Sequence, residues 1–305
     1  MERREFLKKS LTLGLGAGVL FLPRGLRGGV SRALADQSWP DLVALRGASP
    51  EVMFERGVAA LGGMGRFVKS GQTVVVKPNI SWDVAENAAA NTSPALVARV
   101  IKHCLDAGAK RVLVVDHSIE YWESSWNTSG IAAAVKSSGG THAPAESAGY
   151  YQKIGLAGSV LKETRIHEAL LECDTLISVP VLKHHGGAGV SIAMKNLMGC
   201  VWNRGEYHSK GLQACIADFL HARKPDLSIV DAYRVITRHG PRGGSLEDVA
   251  EMNAQILSPD VVAADAASAR LLGREPSEIG HIRLAAEAGF GQIDLTKLKI
   301  ERLVL

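Results

Sequence analysis

The segment Pro180-Val-Leu-Lys-His-His-Gly-Gly-Ala-Gly-Val-Ser-Ile-Ala-Met-Lys-Asn-Leu-Met-Gly199 holds the densest set of reactive side chains in this chain. Gly186, Gly187 and Gly189 can adopt positive φ and let the backbone approach a ligand closely. A helix is expected from Val190 to Met198, and its first amides would have no intrahelical partner. A glycine-rich turn feeding a helix start predicts an anion site. Lys183 before the turn and Lys195 within the helix can reach one anion, and Asn196 can orient it. His185, with a side chain that titrates near neutrality, can move a proton. The bland alternative is a surface turn with solvated lysines and capping histidines. Two lysines, two histidines and an asparagine crowded between 183 and 196 weigh against it.

A metal centre is the second chemistry these residue types allow. His184, His208 and Asp231 are the candidate ligands, with His185, Asp116 and Asp218 as further donors. Adjacent histidines on extended backbone point to opposite faces, which disfavours one ion shared by His184 and His185. Asp218 reads as a solvated residue on the flank of its helix. No H-E-x-x-H, Walker A, G-x-G-x-x-G or G-x-S-x-G pattern occurs where its chemistry would need it. The basic loop Arg238-His-Gly-Pro-Arg-Gly-Gly244 offers Arg242 as a carboxylate or phosphate clamp, or is simply a surface turn. Asp260 suits a helix start, and Asp265, among alanines, suits a buried hydrogen bond to a neighbouring loop.

The elements that must position these groups alternate between strand and helix. Thr73-Val-Val-Val-Lys77 is a β-branched run stopped by Pro78, and Thr92-Ser-Pro94 opens a helix whose apolar stripe ends near Gly108. Arg111 to Asp116 then reads as a second buried strand, completing a βαβ unit. Further strands are expected at Asp174–Pro180, Leu227–Asp231 and Lys299–Leu305, and helices from Ser209, from Ser258 to Gly273 and from Pro276 to Ala288. The fold class is therefore α/β. It has a mostly parallel sheet with helices on both faces, in one large domain over 36–305 or in two lobes sharing a cleft. Residues 120–147, rich in Ser, Gly, Trp and Tyr, suggest a lid or small insertion. Open parallel sheets bind ligands past the carboxyl ends of their strands. That rule selects Lys77 and Asn79, Asp116, Lys183 to His185, and Asp231.

The chain has 305 residues, is 46% apolar and carries a net charge of +4. Its first 35 residues hold seven Lys/Arg against two Asp/Glu, so the remainder is close to neutral and acidic by about one charge. Nothing global selects nucleic acid as a partner. Four scattered cysteines without a C-x-x-C pair argue against an iron–sulfur cluster or a zinc ribbon. Arg3-Arg4-Glu5-Phe6-Leu7-Lys8 resembles the twin-arginine (Tat) export signal R-R-x-F-L-K. It is followed by a short apolar run, Leu11 to Leu22, and by Ala33-Leu-Ala35 as a cleavage site. The leader implies a Tat translocase as transient partner, a periplasmic or otherwise exported location, and no stable membrane span after cleavage.

Several segments together resemble the domain of unknown function family 362. They are Val74-Val-Val-Lys-Pro-Asn79, Val179-Pro-Val-Leu-Lys-His184, Val190 to Gly199, Asp226-Leu-Ser-Ile-Val-Asp-Ala232 and Gly240-Pro-Arg-Gly-Gly244. The family pattern K-T-H stands here as Lys183-His184-His185, so His185 corresponds to its histidine. The resemblance implies an α/β fold and little mechanism. Many relatives carry a ferredoxin-like module; the cysteines it needs are missing here. A looser similarity of layout to the lactate racemase nickel-cofactor enzymes rests on alternating strands and a Lys/His-rich site. Two functions follow as expectations. One is an exported enzyme acting on a small anionic substrate; the other is a binding or maturation protein carrying an anion, metal or redox cofactor for a partner.

Overall fold

Short β-branched runs form the centre of the molecule, and the segments between them cover both faces, in a computed structural model that describes residues 38–305. The leader read at 1–35 lies outside the described residues. In chain order the first elements are β1 (Leu42–Arg46), α1 (Pro50–Ala60), β2 (Thr73–Pro78), α2 (Pro94–Asp106) and β3 (Arg111–Val114). Next come α3 (Trp122–Thr128), α4 (Ile131–Ser137), β4 (Thr141–His142), β5 (Tyr151–Gly155), β6 (Glu163–His167) and α5 (Glu168–Glu172). The site-bearing stretch holds β7 (Thr175–Val179), β8 (Val181–His185), β9 (Gly189–Ser191), α6 (Ala193–Asn196) and α7 (Arg204–Asp218). The last elements are β10 (Leu227–Ile236), β11 (Val249–Ser258), α8 (Val261–Leu271), α9 (Gly280–Glu287) and β12 (Ile300–Val304).

The central sheet runs β12-β1-β11-β10-β7-β2-β3-β4, with β8 pairing β10 and β9 pairing β8. Pairing is parallel from β10 through β7, β2 and β3 to β4, and between β1 and β12. It is antiparallel where β11 meets β1 and β10. The fold is thus α/β with a mostly parallel sheet. Strand side chains alternate between two apolar layers. Val74 and Val76 pack with Met53, Phe54, Val97 and Ile101 of α1 and α2. Val75, Leu176 and Val230 pack on the other face with Met194, Ile216 and Val262 of α6, α7 and α8. Each fully buried aliphatic side chain contributes about 1.5–3 kcal/mol of transfer free energy, so both layers are needed to hold a strand dry on two sides.

Several expectations are corrected. Residues 39–305 form one compact unit rather than two lobes, because one sheet runs through them. The stretch 120–147 is no lid: Trp126, Ile131 and Val135 enter the core and β4 extends the sheet beside β3. The helix read at Val190–Met198 starts only at Ala193; before it, Gly189–Ser191 turns back on Lys183–His185 as an antiparallel hairpin. The helix read from Ser209 starts at Arg204, where Asn203 accepts a hydrogen bond from Glu206 N, and it kinks at Gly211 (φ 111°). The hydroxyls of Thr92 and Ser93 do not cap α2; they bond Val179 O and Glu86, tying the loop to neighbouring segments.

Candidate active site

The carboxyl ends of β2 and β8 meet the segment after β3 around a small cleft. It is lined by Asn79, Ser81, Trp82, Asp116, Lys183, His185, Lys195, Asn196, Gly199 and Arg204, among others. Its free volume of about 40 Å³ accommodates a few waters or a small polar group, far below the several hundred Å³ of a typical drug-sized site.

Lys77 and Asp116 form the floor. The Lys77 ammonium lies 3.0 Å from Asp116 Oδ1, both side chains being essentially sealed. The approach is off the hydrogen-bonding direction, which makes this an ion pair without an aligned bond. Lys77 Nζ also donates to Asn196 Oδ1 at 3.0 Å and to Pro78 O. Asp116 Oδ2 accepts from Ile80 N at 2.5 Å. A Cβ on Gly199 would overlap Asp116 Oδ1 and sit 2.8 Å from Lys77 Nζ, so only glycine fits there. Asn196 donates to Lys77 O at 2.8 Å and to Ser178 Oγ at 3.3 Å. Both of its N–H groups and one acceptor site are thus engaged, so Asn196 orients Lys77.

The walls carry the unbalanced charge. Lys183 is 1% exposed and donates to Asn79 Oδ1 at 2.6 Å and Ala90 O at 2.5 Å. Burial first, then the ammonium groups of Lys195 and Lys77, lower its pKa to about 7 against the pull of Asp116. Burial, Arg204 and Lys77 lower Lys195 to about 8. Lys195 has no hydrogen-bond or ion-pair partner among the described residues. Arg204, at the start of α7, donates to His117 O (2.5 Å) and Ser118 O (2.9 Å) and keeps further N–H groups for a ligand. Four cationic side chains therefore surround the cleft against the single carboxylate of Asp116.

His185 accepts at Nδ1 from the amides of Gly187 and Ala188, both at 3.1 Å. Its proton therefore sits on Nε2. Burial and the nearby lysines push its pKa to about 3, so it is a neutral hydrogen-bond donor and not the proton carrier the sequence suggested. The glycine turn also differs from expectation. Its amides serve His185, and those opening α6, Ala193 N and Met194 N, bond Asp265 at 2.8 and 3.1 Å. Gly187 and Gly189 are outside the cleft lining. Burial raises the Asp265 pKa to about 7, and the two amides oppose that rise.

The remaining candidates separate. His184 faces another cavity with Gly189, Thr237 and Arg274, and its Nδ1 accepts from Gly240 N at 3.2 Å. Asp231 is buried beside Glu86 and Ser93, accepting from Ser93 N and Tyr233 N, and burial raises its pKa to about 6. His208 is exposed on α7. Among the described residues no three His, Cys, Asp or Glu side chains converge, so the metal set His184, His208 and Asp231 does not fit one ion. Arg242 bonds Glu120 at 2.9 Å and is already neutralised. Asp218, read as solvated, is buried. Its carboxylate accepts from the amides of Ser159, Val160 and Leu161 at 2.8 Å each, and these bonds outweigh burial to lower its pKa. Cys104, Cys173, Cys200 and Cys215 are all free. No helix of the described residues is long and apolar enough to cross a membrane.

Arg204 was missed because its helix was started too late. The signal was present: Asn203-x-x-Glu206 has the spacing of a helix-capping box. Ser81, Trp82 and Met198 reach the cleft through folding alone.

Fold and site together define an α/β protein with a small cationic cleft at the carboxyl edge of a mostly parallel sheet. Residues 74–270 match the family described as Domain of unknown function (DUF362), and the chain belongs to it. It is 28% identical over 242 residues to the thylakoid-associated protein sll1697 of Synechocystis sp., covering 72% of this chain and 68% of that protein. The lactate racemase apoprotein from Thermoanaerobacterium thermosaccharolyticum shares the fold at a TM-score of 0.50 and 14% identity. That match covers 78% of this chain, which spans 57% of the racemase's length. A Thermotoga maritima protein aligns at a TM-score of 0.46 and 11% identity over 78% of this chain and 59% of its own.

Proposed function

We propose that this chain is an exported enzyme that moves a proton on a small anionic substrate, a carboxylate or a phosphate ester. The observation that carries this reading is Lys195: an ammonium in the cleft without a partner among the described residues, beside Lys183 and Arg204 and opposite one already paired carboxylate. An unbalanced cationic site in low dielectric favours an anion. Arg204 supplies the standing charge that holds it, Lys183 adds its own as the bound anion draws it into the protonated form, and the His185 Nε2–H donates to it. Lys195, with a pKa near 8, is partly neutral at physiological pH and can take a proton. Asp116 and Asn196 keep Lys77 fixed beneath. The fold shared with a lactate racemase makes 2-hydroxy acids a sensible first panel.

The test is deuterium exchange at carbon. Small 2-hydroxy and 2-oxo acids and phosphorylated acids are incubated with the protein in D2O and followed by NMR. Exchange should occur with wild type and vanish in Lys195→Arg, which keeps the charge but cannot lose it. Binding without exchange of any bound acid would overturn the enzyme and leave the alternative, a non-catalytic carrier of an anion. Export is proposed on the Arg3-Arg4 leader alone; replacing both arginines by lysine should leave the protein in the cytoplasm on fractionation.

A further inference from the structure

The turn that carries His185 is gripped from behind by a hydrogen-bonded chain that the proton transfer does not use. Gln213, on α7, donates from Nε2 to Ala188 O at 3.1 Å. Its Oε1 accepts from His281 N at 2.8 Å and lies 2.7 Å from His281 Nδ1. A backbone N–H can only donate, which fixes Oε1 as the acceptor; His281 Nδ1, facing the same oxygen, must therefore carry a proton. His281 is fully buried, and its Nε2 has no hydrogen-bond partner among the described residues. Across Ala188, the amides of Gly187 and Ala188 hold His185 Nδ1 bare, with the Nδ1–Cε1 edge of the ring nearest Gly187. Packing leaves Gln213 little freedom: a Cβ on Gly280 would lie 3.0 Å from its side chain. Burial, Lys195 and His185 all disfavour a charged His281, so one neutral tautomer persists.

We propose that Gln213 is a positioning residue that sets the tautomers of both histidines. It holds His281 as Nδ1–H and, through Ala188, holds His185 as Nε2–H, so that His185 presents a donor to the cleft. The last step rests on the anion reading above; the tautomers themselves do not. The general reason for such a device is that a neutral imidazole is donor or acceptor at a given nitrogen according to what its other nitrogen meets.

The test is 15N NMR of histidine-labelled, ligand-free full-length protein at neutral pH, with His185→Gln and His281→Asn used for assignment. Wild type should show His185 protonated at Nε2 and His281 at Nδ1. Gln213→Glu keeps an acceptor for both His281 donors but cannot, when ionised, donate to Ala188 O. It should therefore leave the His281 signature and convert His185 to a mixture, with the Kd for oxalate about tenfold weaker, the loss of about one hydrogen bond. Gln213→Leu should disturb both rings. The proposal is overturned if wild-type His185 is Nδ1–H or doubly protonated, if wild-type His281 is not Nδ1–H, or if Gln213→Leu leaves either signature unchanged. Failure of oxalate to bind wild type whose tautomers are as stated would instead overturn the anion reading.

Discussion

Lys77 at the end of β2 and Lys183 on β8 are equally sealed from solvent but face different surroundings. Lys77 has a carboxylate 3.0 Å away, while Lys183 has only the neutral oxygens of Asn79 and Ala90, with Lys195 adding repulsion. Taking an ammonium out of water costs several kcal/mol, and a close counter-ion offsets much of it. At Lys77 that offset is built in. At Lys183 it is absent, and the charge is partly given up, the pKa falling to about 7. Within one cleft, the lysine with its counter-ion is scaffold, and the lysines without one are those that the proposed anion would meet.

The contrast between the two lysines should be largest when Asp116 is changed. Asp116→Asn strips Lys77 of its counter-ion and should cost about 3–5 kcal/mol in urea unfolding, as for other buried pairs deprived of one partner. Lys183→Met leaves two neutral oxygens unbonded and should cost less, about 1–3 kcal/mol. Equal losses would mean the two lysines do not differ as argued. Gly199→Ala should be as damaging as Asp116→Asn, because its methyl would overlap the Asp116 carboxylate; a variant that unfolds like wild type would show that the floor can shift.

A smaller effect belongs to Asp265, whose carboxylate holds the two amides that open α6. Asp265→Asn keeps one acceptor oxygen and should lower stability by about 1–3 kcal/mol. The loss should grow as the pH falls from 7 towards the ordinary carboxylate range, because only wild type then gains the stability of a carboxyl that holds its proton more tightly when folded.

Stability should also depend on pH through the buried titratable groups. Lys183 and Lys195 bind their protons less tightly folded than unfolded, so their contribution rises with pH above about 7–8 and is lost below it. Asp231 and Asp265 bind theirs more tightly folded, so theirs is full below the ordinary carboxylate range and lost as pH rises to about 6–7. These four groups together place a minimum near pH 7 in urea midpoints measured from pH 5 to 10. Saturating oxalate, which favours the charged lysines, should fill that minimum; a minimum that persists unchanged with bound oxalate would remove the lysines from the site.

Much of the scaffold was legible because local signals agreed with the fold. The valine run stopped by Pro78 became β2, and Pro94 stands at the first position of α2. The strand-end rule brought Asn79, Asp116, Lys183 and His185 to one cleft. It failed for Asp231, which lies behind the 90–93 segment and takes the Ser93 amide. The 183–196 segment misled for a physical reason. Val190-Ser-Ile192 fits the period of a strand as well as the start of a helix, and only pairing with Lys183–His185 decides between them. Whether an amide is free cannot be read locally either: Asp265, 72 residues downstream, takes those of α6. Arg242 looked like a clamp until folding brought Glu120 beside it.

On the reading proposed above, Lys195 and its neighbours form an anion site whose charge is not balanced by the protein. Calorimetric titration of oxalate and inorganic phosphate into wild type and Lys195→Met, at pH 7 and pH 9, tests it most directly. At least one of the two anions should bind at pH 7. Binding should be weaker at pH 9, as Lys183 and Lys195 lose their protons, and weaker by about tenfold or more in Lys195→Met at pH 7. Binding that is the same at both pH values and in both proteins, or no binding at all, would contradict it.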